Sequence, residues 1–301
     1  MGVESMGHEG KGAQGMGRVV GAAIVSHHPG LFQCDEFRLA VGNGVDSDLI
    51  AGYGRVRERL DAARPDVLVI VDSHWFTTGY HLADGGKHYK GRYISDEMPW
   101  YLFGKEYDYP GCPELAFLVE QVGRERAVHS RAIADSELGR QYATINIVNK
   151  LRRDERVMSL SCCQNCRPEH YLQSGEVLGE AIRRSGLRVA ILASGALSHK
   201  FNDIDWVAKS PRIFDEVNVS RPENIASDRL AIEWFREGRH DRILDEWDAR
   251  FRRLPWEAFG GHYLQMVGAL GGRECRAVGT PLSAYENARG TGNIHIWFDV
   301  A

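Results

Sequence analysis

Val67-Leu68-Val69-Ile70-Val71-Asp72-Ser73-His74 is an unbroken apolar run that stops on two polar residues and an imidazole. Runs without polar alternation suit strands covered on both faces, as in a parallel or mixed sheet. The pattern recurs. Val19-Val20-Gly21-Ala22-Ala23-Ile24-Val25-Ser26 leads to His27, and Val189-Ala190-Ile191-Leu192-Ala193 leads through a small-residue stretch to His199. In open α/β sheets ligands bind beyond the carboxyl ends of the strands, so residues leaving those ends converge on one site. Imidazole is the commonest metal ligand and titrates unperturbed near neutral pH. Three strand-end histidines therefore point to a metal centre with an acid–base partner.

Between the first two of these strands, Ser47 to Ala63 predicts a helix with Leu49, Tyr53, Val56 and Leu60 on one stripe. Pro65 stops it, and the strand–helix–strand order is that of a βαβ unit. Further helices are expected over 113–124, 142–151, 168–184, 226–237, 240–250 and 257–270, and strands up to His129 and over 157–162, 275–282 and 293–300. Residues 35–45 and 80–111 read as loops. The second is rich in aromatics, as loops that wall a pocket often are. No internal repeat or linker interrupts the chain. The expectation is a Gly-rich, flexible tail over residues 1–18 and one α/β domain over 19–301. Its central sheet is mostly parallel or mixed, flanked by helices, with the site at the strand C-terminal edge.

Composition narrows the partners. A net charge of −4 over 301 residues offers no basic surface for nucleic acid or an anionic membrane. No apolar run approaches the roughly 18 residues of a spanning helix. The first 18 residues lack the apolar stretch of a signal peptide, so a cytoplasmic protein is expected. Cys162, Cys163 and Cys166 lack the second ligand pair of a zinc knuckle and read as structural thiols. Gly290-Thr291-Gly292 is too short for a phosphate loop, and no G-x-S-x-G nucleophile elbow is present.

Alternation along an extended chain turns His27 and His28 to opposite sides, so only one of them serves the site. A third metal ligand completing a 2-His-1-carboxylate set leaves open positions on a ferrous ion. Glu257 opens a helix, where negative charge also suits the helix dipole, and Asp72, Glu97 and Glu286 are alternatives. His199 is either a further ligand or a group that moves protons, and His129 carries a weaker signal of the same kind.

These segments resemble a known family. Ser26-His27-His28-Pro29, Asp72-Ser73-His74-Trp75 and Ala193-Ser194-Gly195-Ala196-Leu197-Ser198-His199-Lys200-Phe201 are similar to the class III extradiol ring-cleavage dioxygenases. The likeness includes residues 91–99 and 107–115 and runs on to the end of the chain. It implies that His27, His74 and Glu257 bind Fe(II), with Mn(II) the less favoured metal, and that O2 is the co-substrate. It makes His199 the acid–base histidine and His129 a second histidine beside the substrate. The implied reaction is extradiol cleavage of a catechol such as 3,4-dihydroxyphenylacetate to a muconic semialdehyde-type product by a homo-oligomer. A 2-aminophenol is the alternative substrate, and Arg289 or Arg92 is a candidate partner for a substrate carboxylate. The rivals are a zinc-dependent hydrolase on the same ligands and a non-catalytic subunit that keeps the fold.

Overall fold

The computed structural model describes residues 16–218 and 221–300. The tail expected over 1–18 lies outside them through residue 15, and Arg18 already opens the first strand. The first half of the chain runs β1 (Arg18–Val25), α1 (Asp35–Val41), α2 (Asp48–Ala63), β2 (Val67–Thr77), β3 (His81–Asp84), β4 (His88–Ile94) and β5 (Phe103–Pro110). Then come α3 (Pro113–Glu125), β6 (Ser130–Ile133), α4 (Tyr142–Leu151), β7 (Arg156–Cys163), α5 (Pro168–Ser185) and β8 (Arg188–Ser194). The last third holds α6 (Pro222–Arg236), α7 (His240–Asp245), α8 (Gly261–Ala269), β9 (Val278–Pro281), β10 (Glu286–Ala288), β11 (Thr291–Asn293) and β12 (Ile296–Asp299).

Eight strands form one mixed sheet in the order β6-β3-β7-β2-β8-β1-β12-β9. Its middle, β7-β2-β8-β1, is parallel throughout, and antiparallel pairs extend it on both sides. The apolar run that opens the argument lies at the centre. Val67, Val69 and Val71 face a core shared with α3, α5 and α8, and Leu68 and Ile70 face another shared with α2 and α4. All five are fully buried. Both faces are covered, which is why no polar residue alternates there. Each such side chain contributes roughly 1.5–3 kcal/mol by leaving water.

The structure corrects several expectations. Residues 35–45 contain α1, a helix of seven residues, too short for its periodicity to register. Residues 80–111 are ordered into β3 and the β4–β5 hairpin, which sets Tyr89 opposite Tyr109 and Gly91 opposite Tyr107. Aromatic pairing across strands stabilises such a hairpin, so the aromatic density there was a strand signal. β2 does not end at His74 but continues to Thr77 through a register break between Asp72 and Phe76. The helix expected from Glu257 begins only at Gly261. Glu257–Gly260 is a tight turn in which Ala258 and Phe259 take φ of 49° and 56°. Among the described residues no helix is long and apolar enough to cross a membrane.

Candidate metal centre

His27 and His74 leave adjacent parts of the sheet edge because β8 alone separates β1 from β2. Their rings approach edge to face with centroids 5.1 Å apart. Glu257 reaches the same point from the turn before α8, with Oε1 3.1 Å from His27 Nε2 and 2.9 Å from His74 Nε2. One ligand atom from each of the three lies within 4.8 Å of the others. Two imidazoles and a carboxylate of this kind are the donor set of a non-haem iron or zinc site.

The surroundings aim these donors. Ser194, at the end of β8, donates its hydroxyl to Ala143 O at 2.9 Å, so it can only accept from His27 Nδ1, also at 2.9 Å. That leaves the His27 Nε2 lone pair facing Glu257. His74 Nδ1 lies 3.3 Å from Glu97 Oε1, which fixes that ring in the same way. In β2 the Asp72 carboxylate takes the backbone N–H groups of His74 and Trp75 at 2.8 and 2.9 Å and the Thr144 hydroxyl at 2.6 Å. Those bonds divert the ladder and produce the register break that turns His74 to the edge. Glu257 accepts from Ser73 Oγ at 2.8 Å and from Ala196 N at 2.6 Å.

The electrostatics favour a cation. Burial by itself pulls the His74 imidazolium down, yet the Glu257 and Glu97 carboxylates override it and push its pKa up to about 10. Burial opposes the Glu257 charge as well, but the neighbouring histidines hold its carboxyl well below the usual range. A buried carboxylate with imidazole nitrogens packed on one oxygen is a seat for positive charge, and the residues present fit a divalent metal.

Above the cluster opens a cavity of about 660 Å³, walled by Phe37, Met98, Trp100, Tyr101 and Phe201 among others. His199 lines it. The His199 backbone is held by a bond from its N–H to Pro255 O at 2.8 Å and by a bridge to Thr291. Burial lowers its pKa below the ordinary histidine value against the opposing pull of Glu257, and His74 and His27 add to the lowering, which favours a neutral ring able to accept a proton.

The other sequence candidates fall elsewhere. His129 does not reach the cavity. It precedes edge strand β6, three strand spacings from β2, which is roughly 14 Å. There it is exposed, stacked on Tyr80 at 5.3 Å, with Nδ1 3.2 Å from Gly79 O. Asp72 serves the β2 break, Glu97 orients His74, and Glu286 binds Ser47 Oγ and Asp48 N at the start of α2. Arg92 packs beside Gly104 on the hairpin. All six cysteines are free thiols, and Cys166 Sγ lies 3.5 Å from His81 Nε2. Sequence reasoning missed Tyr142, whose buried hydroxyl sits 2.7 Å from His74 Nε2. It reads only as an apolar helix residue. Ser194 was also missed, although a serine closing a fully buried strand needs a partner.

The family described as the catalytic LigB subunit of aromatic ring-opening dioxygenase matches residues 21–291. The 3,4-dihydroxyphenylacetate 2,3-dioxygenase of Escherichia coli is 27% identical over 191 residues, which cover 62% of this chain and 68% of that protein. The 2-aminophenol 1,6-dioxygenase beta subunit of Pseudomonas sp is 26% identical over 255 residues, 80% of each chain. A crystal structure of an uncharacterized Escherichia coli K12 protein shares the fold, with a TM-score of 0.59 at 16% identity, over 92% of this chain and 98% of that one.

Proposed function

This chain belongs to the family of aromatic ring-opening dioxygenases, and from that premise we propose that it performs extradiol cleavage of a catechol with ferrous iron held by His27, His74 and Glu257. The observation that carries the reading is the convergence of two imidazole Nε2 atoms on one oxygen of Glu257, at 3.1 and 2.9 Å, beneath a cavity large enough for an aromatic ring. A ferrous ion bound there supplies open coordination positions for an ortho-diol and for O2. The chain's own residues do the rest. Ser194 and Glu97 keep both rings oriented. The apolar walls hold the substrate ring and exclude water. His199, neutral and inside the cavity, takes a proton from a substrate hydroxyl and returns it later in the reaction.

A 3,4-dihydroxyphenylacetate-type catechol is the favoured substrate, by analogy with the Escherichia coli relative. The Pseudomonas relative supports a 2-aminophenol as the second reading. A cytoplasmic homo-oligomer completes the proposal; the word subunit in the name of the Pseudomonas relative accords with an assembly. The test is anaerobic ferrous loading followed by oxygen uptake across a panel of catechols and aminophenols. Stoichiometric oxygen consumption with a yellow ring-opened product is expected. Hydrolysis that depends on zinc would instead make this a hydrolase, and catechol binding without oxygen uptake would make it a binding subunit.

A further inference from the structure

Two guanidinium groups line the cavity without a carboxylate of their own. Arg212 and Arg289 both belong to its wall, and among the described residues neither side chain makes a hydrogen bond or an ion pair. The acids sharing the cavity, Glu97 and Glu257, are engaged on imidazoles. Burial raises the Glu286 pKa, its bonds to Ser47 and Asp48 oppose that, and the Arg212 charge adds less than either bond, so this carboxyl is committed to the start of α2.

The backbone holds the two arginines on one piece of structure. Asn218, 1% exposed, donates from Nδ2 to Arg212 O at 3.0 Å, and its own carbonyl accepts the Gly290 N–H at 3.2 Å. The segment that carries Arg212 is thereby clipped to the turn that carries Arg289. That turn joins β10 to β11 with Ala288 opposite Thr291, so Arg289 and Gly290 are its two central residues, at φ of 46° and 95°. A two-residue turn of this hand favours Asn or Asp in its first position. An arginine held there is a strained choice. Next to it, Lys200 N–H donates to Gly290 O at 3.1 Å and Thr291 bridges to His199, so the turn is fastened beside the acid–base histidine.

The cavity also exceeds what one ring requires. About 150 Å³ accommodates benzene, against about 660 Å³ here. We infer that Arg289 and Arg212 together form an anion subsite in the cavity wall that selects substrates carrying a carboxylate arm. This inference rests on the ring-opening reading and assigns the residues that choose between its acidic and neutral substrates.

The test compares 3,4-dihydroxyphenylacetate with its neutral amide, first by anaerobic equilibrium binding and then by turnover of the ferrous enzyme. The acid is expected to bind about tenfold or more tightly than the amide, with a preference that weakens as salt rises. Arg289→Asn, a residue the left-handed turn accepts, and Arg212→Gln should each shrink that ratio, and together they should bring it near one. Equal binding of acid and amide by the unaltered protein overturns the subsite, as does a preference that survives both substitutions. Equal cleavage of acid and amide overturns the subsite and leaves the ring-opening reading standing. Preferential binding of the acid, with no oxygen uptake on any ring, overturns ring opening and leaves the subsite.

Discussion

His27 shows how much of a site can depend on a neighbour that never touches the metal seat. Its useful tautomer follows from one proton on Ser194, committed to the Ala143 carbonyl. Replacing Ser194 with Ala removes that latch while leaving all three donors in place. Divalent-metal affinity should then fall about 10- to 100-fold, measured by metal titration. His199 supports the converse prediction. It contributes no ligand atom to the His27–His74–Glu257 cluster, so His199→Ala should retain full metal content. Turnover should drop by about 10²–10⁴, the usual worth of a positioned proton carrier. Metal analysis beside steady-state rates distinguishes the two roles.

Helix α6 reaches the site through one buried acid. Asp228 accepts from Ser198 N at 3.1 Å, Ser198 Oγ at 2.6 Å and the Tyr285 hydroxyl at 2.7 Å, tying α6 to the segment that carries His199. Burial pushes its carboxyl up to about 7 against the pull of those donors. An unfolded aspartate titrates near 3.9. Between about pH 4 and pH 7 the native state therefore keeps a proton that the unfolded chain has released, and stability falls as pH rises through that window. Asp228→Asn carries no such proton. The stability of the natural protein relative to this variant should decline from pH 5 to pH 8, read from urea midpoints at the two values. The hairpin β4–β5 teaches a different lesson about elements. Its aromatic residues were visible as composition, yet with Pro99 and Pro110 among them the stretch read as an irregular loop.

For the whole molecule, a metal bound at the proposed site would couple to the fold, because the three donors come from β1's exit, β2 and the turn before α8, segments far apart in sequence. A divalent ion at a hundred times its dissociation constant should add about 2.7 kcal/mol of stability. That is a rise of several degrees in Tm for a protein of this size. Glu257→Gln should abolish the rise, and a chelator should reverse it in the unaltered protein, both followed by thermal melts under nitrogen. By itself the sequence determined the α/β class and the buried apolar runs that lead to His27, His74 and His199, since such runs are a local property that a doubly covered sheet satisfies. The resemblance added Glu257, but nothing in the residues alone chose it over Asp72, Glu97 or Glu286. The folded chain sets Glu257 on both imidazoles, Glu97 on His74 alone, and Asp72 and Glu286 on other partners, because strand order is set by long-range packing. β8 enters between β1 and β2 although it comes later in the chain, and it delivers Ser194 and Ala196 to His27 and Glu257. The same packing left His129 on a distant edge and brought Tyr142 against His74. Proximity between residues on different elements has no periodic signature in a single chain, so it is visible only in the folded molecule.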